Sequence, residues 1–287
     1  MRIDLHTHST ASDGTTSPAE LVRAAARTAG LDIVALTDHD TTAGWAEAAE
    51  ALPRGLTLVP GAELSTVWTA PDGRVIGMHL LAYLFDPAEP VLRAERARVR
   101  EGRTVRARRI VELMQADGHP VRWEDVLAEA AGGPVGRPHV ARALVRSGLV
   151  VDVAAAFTTE WIGRGGRYRV VKPDTEVCDA IRMVRAAGGV PVVAHPLASA
   201  RGAIVPEDAY VELAAAGLAG LEADHADHDP AARARVRAIA RDLDLVVTGS
   251  SDFHGANKTV ALGACTTAPE AYERLLASAT GSAPVAA

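Results

Sequence analysis

The stretch Met1-Arg2-Ile3-Asp4-Leu5-His6-Thr7-His8-Ser9, followed closely by Asp13, decides how the rest of the chain is read. It starts apolar and ends in two histidines separated by one residue, the pattern of a short strand. In a strand, residues i and i+2 point to the same face. His6 and His8 therefore present two imidazoles side by side at the end of Ile3–Leu5. Two imidazoles do not complete a site, so their partners must arrive from elsewhere in the chain.

The same arrangement recurs downstream. Ser17-Pro18-Ala19-Glu20 predicts a helix start, with Ser as N-cap, Pro at the first helical position and an acid in the first turn. That helix should run to Gly30. The apolar run Leu31–Thr37 predicts a buried strand that ends in Asp38-His39-Asp40, with Asp40 read as the N-cap of the next helix, about Trp45 to Leu52. Leu56–Pro60 is a third strand, ending in Gly61-Ala62-Glu63, and Val75–Phe85 a fourth, with His79 inside it. Such strand–helix alternation argues for a parallel sheet or barrel. In βα-barrels the C-terminal strand ends and the loops after them carry the chemistry.

From about Asp86 to Lys172 the alternation stops. A long helix, Glu95 to Met114, carries Arg96, Arg98, Arg100, Arg103, Arg106, Arg108 and Arg109, and two more helices, Trp123–Ala131 and Pro138–Ser147, complete a small helical insert. Gly163-Arg164-Gly165-Gly166-Arg167 marks the return. The alternation then resumes: helix Thr175–Ala187, strand Val190–Ala194 stopping at His195-Pro196, helix Asp208–Ala216, strand Gly220–Ala223 leading to Asp224-His225-Ala226-Asp227-His228, helix Pro230–Asp242, and strand Leu245–Thr248 leading to Ser251-Asp252-Phe253-His254. The division expected is therefore a first barrel part (1–90), an insert capping the substrate (91–172) and a second barrel part (173–287). The small residues past Ser278 are expected to fray.

Composition fits this reading. The 287 residues are 48% hydrophobic and 23% charged, ordinary for a soluble globular protein of one large domain carrying an insert. A formal net charge of −6 argues against a surface devoted wholly to nucleic acid. Cys178 and Cys265 sit in apolar runs, so no disulfide framework is implied and a reducing cytoplasm is expected. Met1 leads straight into a strand, leaving no room for a signal peptide, and charge interrupts every apolar run well before the ~20 residues a membrane span needs. Neither membrane contact nor an obligate protein partner is expected.

The strand-end residues are His6, His8, Asp13, Asp38, His39, Glu63, His79, His195, Asp252 and His254. Imidazoles with carboxylates and no thiolate suit Mn²⁺, Fe²⁺ or Zn²⁺. The supply of donors exceeds one ion's needs, which points to a cluster of two or three divalent metals. Such clusters hold ions ~3.5–4 Å apart and generate hydroxide near neutral pH. His79 alone would read as a core histidine; within this series it reads as a ligand. Asp38 is expected to orient a ligand histidine rather than to touch metal. His225 and His228 lie in a polar run and read as solvated loop residues, and His119, before Pro120, as a turn residue. His139, after Pro138 at a helix start, lines the cleft, serves as a cap or is exposed. Gly136-Arg137-Pro138-His139 places an arginine just before a helix N-terminus, a bidentate donor beside free N–H groups, unless Arg137 is an ordinary surface arginine. Arg201, on the loop after His195, is a second candidate phosphate donor of the same kind. The arginines between Arg96 and Arg109 look scattered around their helix and read as a solvated face, although a local basic surface can guide an oligonucleotide.

His6-x-His8, Thr37-Asp38-His39-Asp40, Gly61-Ala62-Glu63, Ala194-His195-Pro196 and Ser251-Asp252-Phe253-His254 together resemble the motif series of the PHP (polymerase and histidinol phosphatase) family. The resemblance covers both barrel parts and constrains the insert less. It implies an α/β fold, an irregular (β/α)7 TIM-like barrel with three metals. Carried over residue by residue, it gives one metal His6, His8, Glu63 and Asp252, a second Glu63, His79 and His195, and a third Asp13, His39 and His254. Asp13 stands where other branches of the family have His. With the insert, it makes the chain resemble the branch hydrolysing AMP and 3′,5′-nucleotide bisphosphates, some members of which trim short RNA. The resemblance implies attack on phosphorus by a metal-bridging hydroxide, with His195 or His254 near the leaving oxygen. The expected protein is thus a metal-dependent phosphoesterase of nucleotide phosphates. The competing readings are a histidinol-phosphate or other small-phosphomonoester phosphatase on the same scaffold, and a non-catalytic metal-binding scaffold module.

Overall fold

The computed structural model describes every residue except Ala131 and the side chain of Arg201. In chain order it runs β1 (Ile3–Asp4), α1 (Pro18–Arg27), β2 (Ile33–Leu36), α2 (Trp45–Glu50), β3 (Thr57–Thr69) and β4 (Val75–Tyr83). Four helices follow, α3 (Pro90–Ala116), α4 (Trp123–Ala130), α5 (Arg137–Arg146) and α6 (Val153–Ala156). Then come β5 (Thr175–Glu176), α7 (Val177–Ala186), β6 (Val190–Val193), α8 (Ala209–Ala215), β7 (Gly220–Asp224), α9 (Pro230–Asp242), β8 (Val246–Gly249), α10 (Pro269–Ala277) and β9 (Val285–Ala286).

The main sheet follows the order β1-β2-β3-β4-β6-β7-β8 and is nearly closed. Closure comes from the ends: Thr7 bridges Phe253 in parallel, His8 N–H donates to the Phe253 carbonyl at 2.8 Å, and Thr267 N–H donates to the Ile3 carbonyl at 2.8 Å. This is the irregular (β/α)7 TIM-like barrel expected from sequence. Its irregularity is β4, which runs antiparallel to both β3 and β6 while the other neighbours on the path are parallel. β3 does not stop at Pro60 but continues through Glu63 to Thr69 and turns back into β4 as a long hairpin.

Ile3, Leu5, Ile33, Ala35, Val59, Leu81, Val192 and Val246 fill the barrel interior. Burying an aliphatic side chain of this size contributes roughly 1.5–3 kcal/mol. α1 shows how the outer layer is specified. Ser17 and Glu20 form a full capping box, Pro18 occupies the first turn, and Leu21, Val22 and Ala25 face β2 and α2.

α3–α6 build a separate apolar cluster from Ala107, Ile110, Val111, Met114, Val126, Val140, Leu144, Ile162 and Tyr168. Two expectations for this region need correction. Asp40 does not cap α2, whose N-cap is Gly44; its carboxylate instead accepts from Ser65 N–H at 2.7 Å and from Arg103 Nε at 2.7 Å. Nor is the arginine face of α3 uniformly solvated. Its buried stripe is Leu92, Arg96, Val99, Arg103, Ala107, Ile110, Val111 and Met114, so two arginines occupy positions where the helix packs on the barrel. Arg96 donates to Thr42 Oγ1 and to the Pro87 carbonyl, and Arg100 to the Asp40 carbonyl at 2.7 Å. The C-terminal residues also depart from expectation. β9 pairs antiparallel with β3, and Gly281 N–H donates to the Gly188 carbonyl at 3.0 Å, so the tail is stitched to the barrel. No helix among the described residues is long and apolar enough to cross a membrane.

Candidate active site

β1, β2, β6 and β8 all deliver their last residues to one rim, and the β3–β4 hairpin rises through it. His6 and His8 follow β1, Asp38 and His39 follow β2, His195 follows β6, and Asp252 and His254 follow β8. Glu63 lies within β3, bridged to His39, and His79 lies on β4 opposite Ser65. Two of these rim residues, His195 at φ 32° and Asp252 at φ 51°, adopt the left-handed conformation that side chains disfavour. Such strain persists only where surrounding bonds hold it. The loop carrying Asp13 also depends on one glycine, since a Cβ on Gly14 would sit 2.5 Å from the His8 carbonyl oxygen.

Glu63 is the centre. Its Oε2 lies 3.2 Å from His6 Nε2, 3.0 Å from His8 Nε2 and 3.2 Å from His39 Nδ1. Its Oε1 lies 2.7 Å from His79 Nδ1 and 3.2 Å from His195 Nε2. On one side, Asp252 Oδ1 stands 3.4 Å from Nε2 of both His6 and His8. On the other, Asp13 stands 3.7 Å from His8 Nδ1, 3.7 Å from His39 Nε2 and 3.4 Å from His254 Nε2. Three groups of donors result: His6, His8, Glu63 and Asp252; His8, Asp13, His39 and His254; and His39, Glu63 and His79.

Burial this deep penalises charge, yet the neighbours decide each outcome. Desolvation opposes protonation of His6, but Asp252, Glu63 and Glu222 overcome it and raise its pKa well above the ordinary value. His8 likewise rises to about 9 against its own burial, through hydrogen bonds to Asp252 and Glu63. Desolvation pushes Glu63 and Asp13 up, but the surrounding imidazoles hold both well below the usual carboxylate range. The rim is therefore a set of buried carboxylates that demand positive charge. Divalent ions suit it on two observations: the donors are all imidazole or carboxylate, and the buried Nδ1 atoms of His39 and His79, close as they are to Glu63, make no well-aligned hydrogen bond.

Asp38 is buried and accepts from Ser9 N–H at 2.8 Å, Ser9 Oγ at 2.7 Å and Ser12 Oγ at 2.6 Å. It holds the loop after His8 rather than bonding a ligand imidazole itself. Arg137 is half-buried at the start of α5, its guanidinium 5.6 Å over the Phe157 ring. Arg201 closes a short 3₁₀ turn, Ser199–Arg201, and its side chain lies outside the described residues. His139 caps α5, its Nδ1 accepting Gly136 N–H at 2.9 Å. His119 is tied down at the far end of the insert, 2.9 Å from Tyr168 Oη.

His225 and His228 are not solvated, contrary to the sequence reading. His225 is buried with Nε2 3.2 Å from Asp252 Oδ2, while buried His228 bonds the Ala223 carbonyl and Leu197 N–H. Two further buried acids escaped the reading. Asp4 accepts from Ser251 N–H at 3.0 Å, Ser251 Oγ at 2.6 Å and Gly263 N–H at 2.8 Å, bracing the loop that carries Asp252. Glu222 bonds His6 Nδ1 at 3.0 Å and the His195 N–H at 2.8 Å. The signal for both was a lone acid inside an apolar strand, Ile3-Asp4-Leu5 and Leu221-Glu222-Ala223, where an unpaired charge would be costly.

Comparison with known proteins bears on the chemistry. The PHP domain profile matches residues 4–101. The 5′-3′ exoribonuclease Rnm of Salmonella typhimurium is 34% identical over 275 residues, covering 91% of this chain and 87% of that protein. The 3′,5′-nucleoside bisphosphate phosphatase of Chromobacterium violaceum is 36% identical over 262 residues, covering 88% and 87%. A crystal structure of a protein from Bifidobacterium adolescentis, described as a putative metal-dependent phosphoesterase, superposes with a TM-score of 0.88 at 35% identity, covering 97% of this chain and 96% of that one. With relatives this similar over nearly the whole length, and a rim whose imidazole and carboxylate groups could hold metal ions, the chain belongs to the PHP family and is a hydrolase of phosphoric ester bonds.

Proposed function

We propose that this protein removes phosphate from nucleotide phosphomonoesters, 3′,5′-nucleotide bisphosphates and AMP above all, with short RNA as a further substrate. One observation carries the nucleotide reading: a nest of insert arginines gathers beside the rim with too few acids to neutralise it. Arg103 is buried, donating to Asp40 and to Ser65, and Ser65 is the cross-strand partner of His79. Arg106 has its Nε buried with no partner. Burial first, then the nearby charges of Arg103, Arg137 and Arg169, pulls the pKa of Arg106 well down, and burial with Arg103 and Arg169 lowers that of Arg137. A crowd of desolvated cations is costly until an anion joins it. A substrate with one phosphoryl group at the rim and a second on these arginines supplies that anion. The 3′,5′-bisphosphate named for the Chromobacterium relative is such a molecule, and so is an RNA end.

In this reading 91–172 caps the site, and His6, His8, Asp13, His39, Glu63, His79, His195, Asp252 and His254 hold two or three divalent ions, Mn²⁺, Fe²⁺ or Zn²⁺. Bound there, such ions acidify water and neutralise phosphoryl oxygens. The chain's own contribution is positional. Glu63 touches five imidazoles and so draws the donor groups together. Arg137 clamps the non-reacting phosphate. His195 or His254 lies near the leaving oxygen. A groove of about 710 Å³ walled by Thr10, Thr41, Gly44, Arg100, Thr104 and Gly133 opens beside the rim, with room for a longer chain.

The test is phosphate release by Mn²⁺-loaded protein from 3′,5′-bisphosphoadenosine, AMP, histidinol phosphate and a short 5′-phosphorylated RNA. Turnover of the bisphosphate well above histidinol phosphate supports the proposal. Turnover of histidinol phosphate alone sinks the nucleotide reading, and no release from any of them points to the scaffold module.

A further inference from the structure

Glu222 is wholly buried on β7, yet none of the donor groups of the rim includes it. Its two oxygens are both engaged. Oε1 lies 3.0 Å from His6 Nδ1 and also accepts from Ser250 Oγ, while Oε2 accepts the backbone N–H of His195 at 2.8 Å. An ionised carboxylate has acceptors only. The contact to His6 therefore requires a proton on Nδ1, so Nε2, which faces Glu63, His8 and Asp252, is the nitrogen left to offer a metal ion. The second contact holds His195 at its left-handed φ of 32°, a conformation that needs outside support.

We propose that Glu222 is a positioning residue: one carboxylate selects the nitrogen that His6 offers to the metal cluster and fixes the backbone from which His195 reaches Glu63. It thereby couples donors from β1 and β6, which approach different oxygens of Glu63, through a single buried side chain. This inference rests on the metal reading of the rim.

A glutamine at 222 keeps the shape but turns one acceptor into a donor. Either His6 Nδ1–H or His195 N–H then meets an NH₂ group and is left unsatisfied. Outer groups of this kind typically change metal affinity 10- to 100-fold. Calorimetric titration of metal-free protein with Mn²⁺ should show E222Q binding about 10- to 100-fold more weakly than wild type. S250A, which leaves the His6 and His195 contacts in place, should bind like wild type. ¹⁵N NMR of the Zn²⁺-loaded wild type supplies a reading that needs no variant: His6 should be ligated through Nε2 and protonated at Nδ1. A purely structural role would lower the melting temperature of E222Q without weakening Mn²⁺ binding. Unchanged affinity in E222Q, or ligation of His6 through Nδ1, overturns the positioning role alone. Failure of the wild type to take up either metal overturns the metal reading and this inference with it.

Discussion

The barrel rim and the insert helix α3 both gather like-minded residues from the sequence, but they do so in opposite ways. At the rim, imidazoles alternate with carboxylates, and Glu63, Asp13 and Asp252 each have an imidazole within 3.4 Å, Glu63 touching five. On α3 and α5, arginines crowd one another, and Asp40 is the buried acid that Arg103 finds. The rim is internally balanced and asks for cations to replace its protons. The insert is unbalanced and asks for an anion. A phosphate diester or monoester placed between them meets both demands, and this division between chemistry and recognition is what mutations should separate.

The largest effect should come from the rim. Glu63→Ala removes a carboxylate that belongs to two of the three donor groups and touches His8 and His39 of the third, and kcat/KM should fall on the order of 10³-fold or more, about 4 kcal/mol of transition-state stabilisation. A steady-state phosphate-release assay reads this directly; a variant retaining a tenth of the activity would break the picture of Glu63 as the centre. The seam between the two regions comes next. Asp40→Ala strands a buried arginine, and removing one partner of a buried pair costs about 3–5 kcal/mol. Urea unfolding should show that loss, whereas a fully solvated arginine face would have cost little.

A change on the insert side should leave chemistry intact. Arg137→Ala is expected to raise KM for a nucleotide bisphosphate about 10- to 100-fold, the loss of one charged hydrogen-bonding group, with kcat nearly unchanged. An unchanged KM would remove Arg137 from the substrate site. The rim's charge balance also predicts a pH response. The folded pKa of His8, about 9, lies above the ordinary 6.5. Its contribution to the metal-free fold is therefore whole below pH 6.5 and is lost as pH rises through 9. Metal needs the deprotonated ring, so apparent affinity should climb over the same window. Melting temperatures of chelated and Mn²⁺-loaded protein should thus diverge between pH 6.5 and 9. The smallest effect belongs to neither region: Ser17→Ala breaks the exposed capping box of α1 and should cost about 1 kcal/mol with activity unchanged.

The rim was legible because its donors sit at strand ends, where apolar runs stop abruptly at His, Asp or Glu. His6-x-His8 and Asp252-x-His254 mark two such ends, and it is the whole series rather than either pair that points to metal. The insert was harder. Arg96 and Arg103 are separated by two helical turns and continue the stripe of Leu92, Val99 and Ala107, but charge masked a packing position as a surface one. The same bias hid Glu222 and Asp4, whose burial depends on partners more than two hundred residues away for His6 and Ser251 alike. The antiparallel β4 was missed although a signal existed: Pro71-Asp72-Gly73 lies between two strand runs, and the general expectation of parallel alternation hid the hairpin. The docked tail carries no comparable signal, because Val285 and Ala286 find their place only once β3 exists.

Metal stoichiometry tests the central claim most directly. Wild-type protein stripped by chelator, reloaded with Mn²⁺ and dialysed should retain two to three ions per chain by elemental analysis, and Glu63→Ala should retain fewer. Retention of a single ion or none by the wild type would contradict the account.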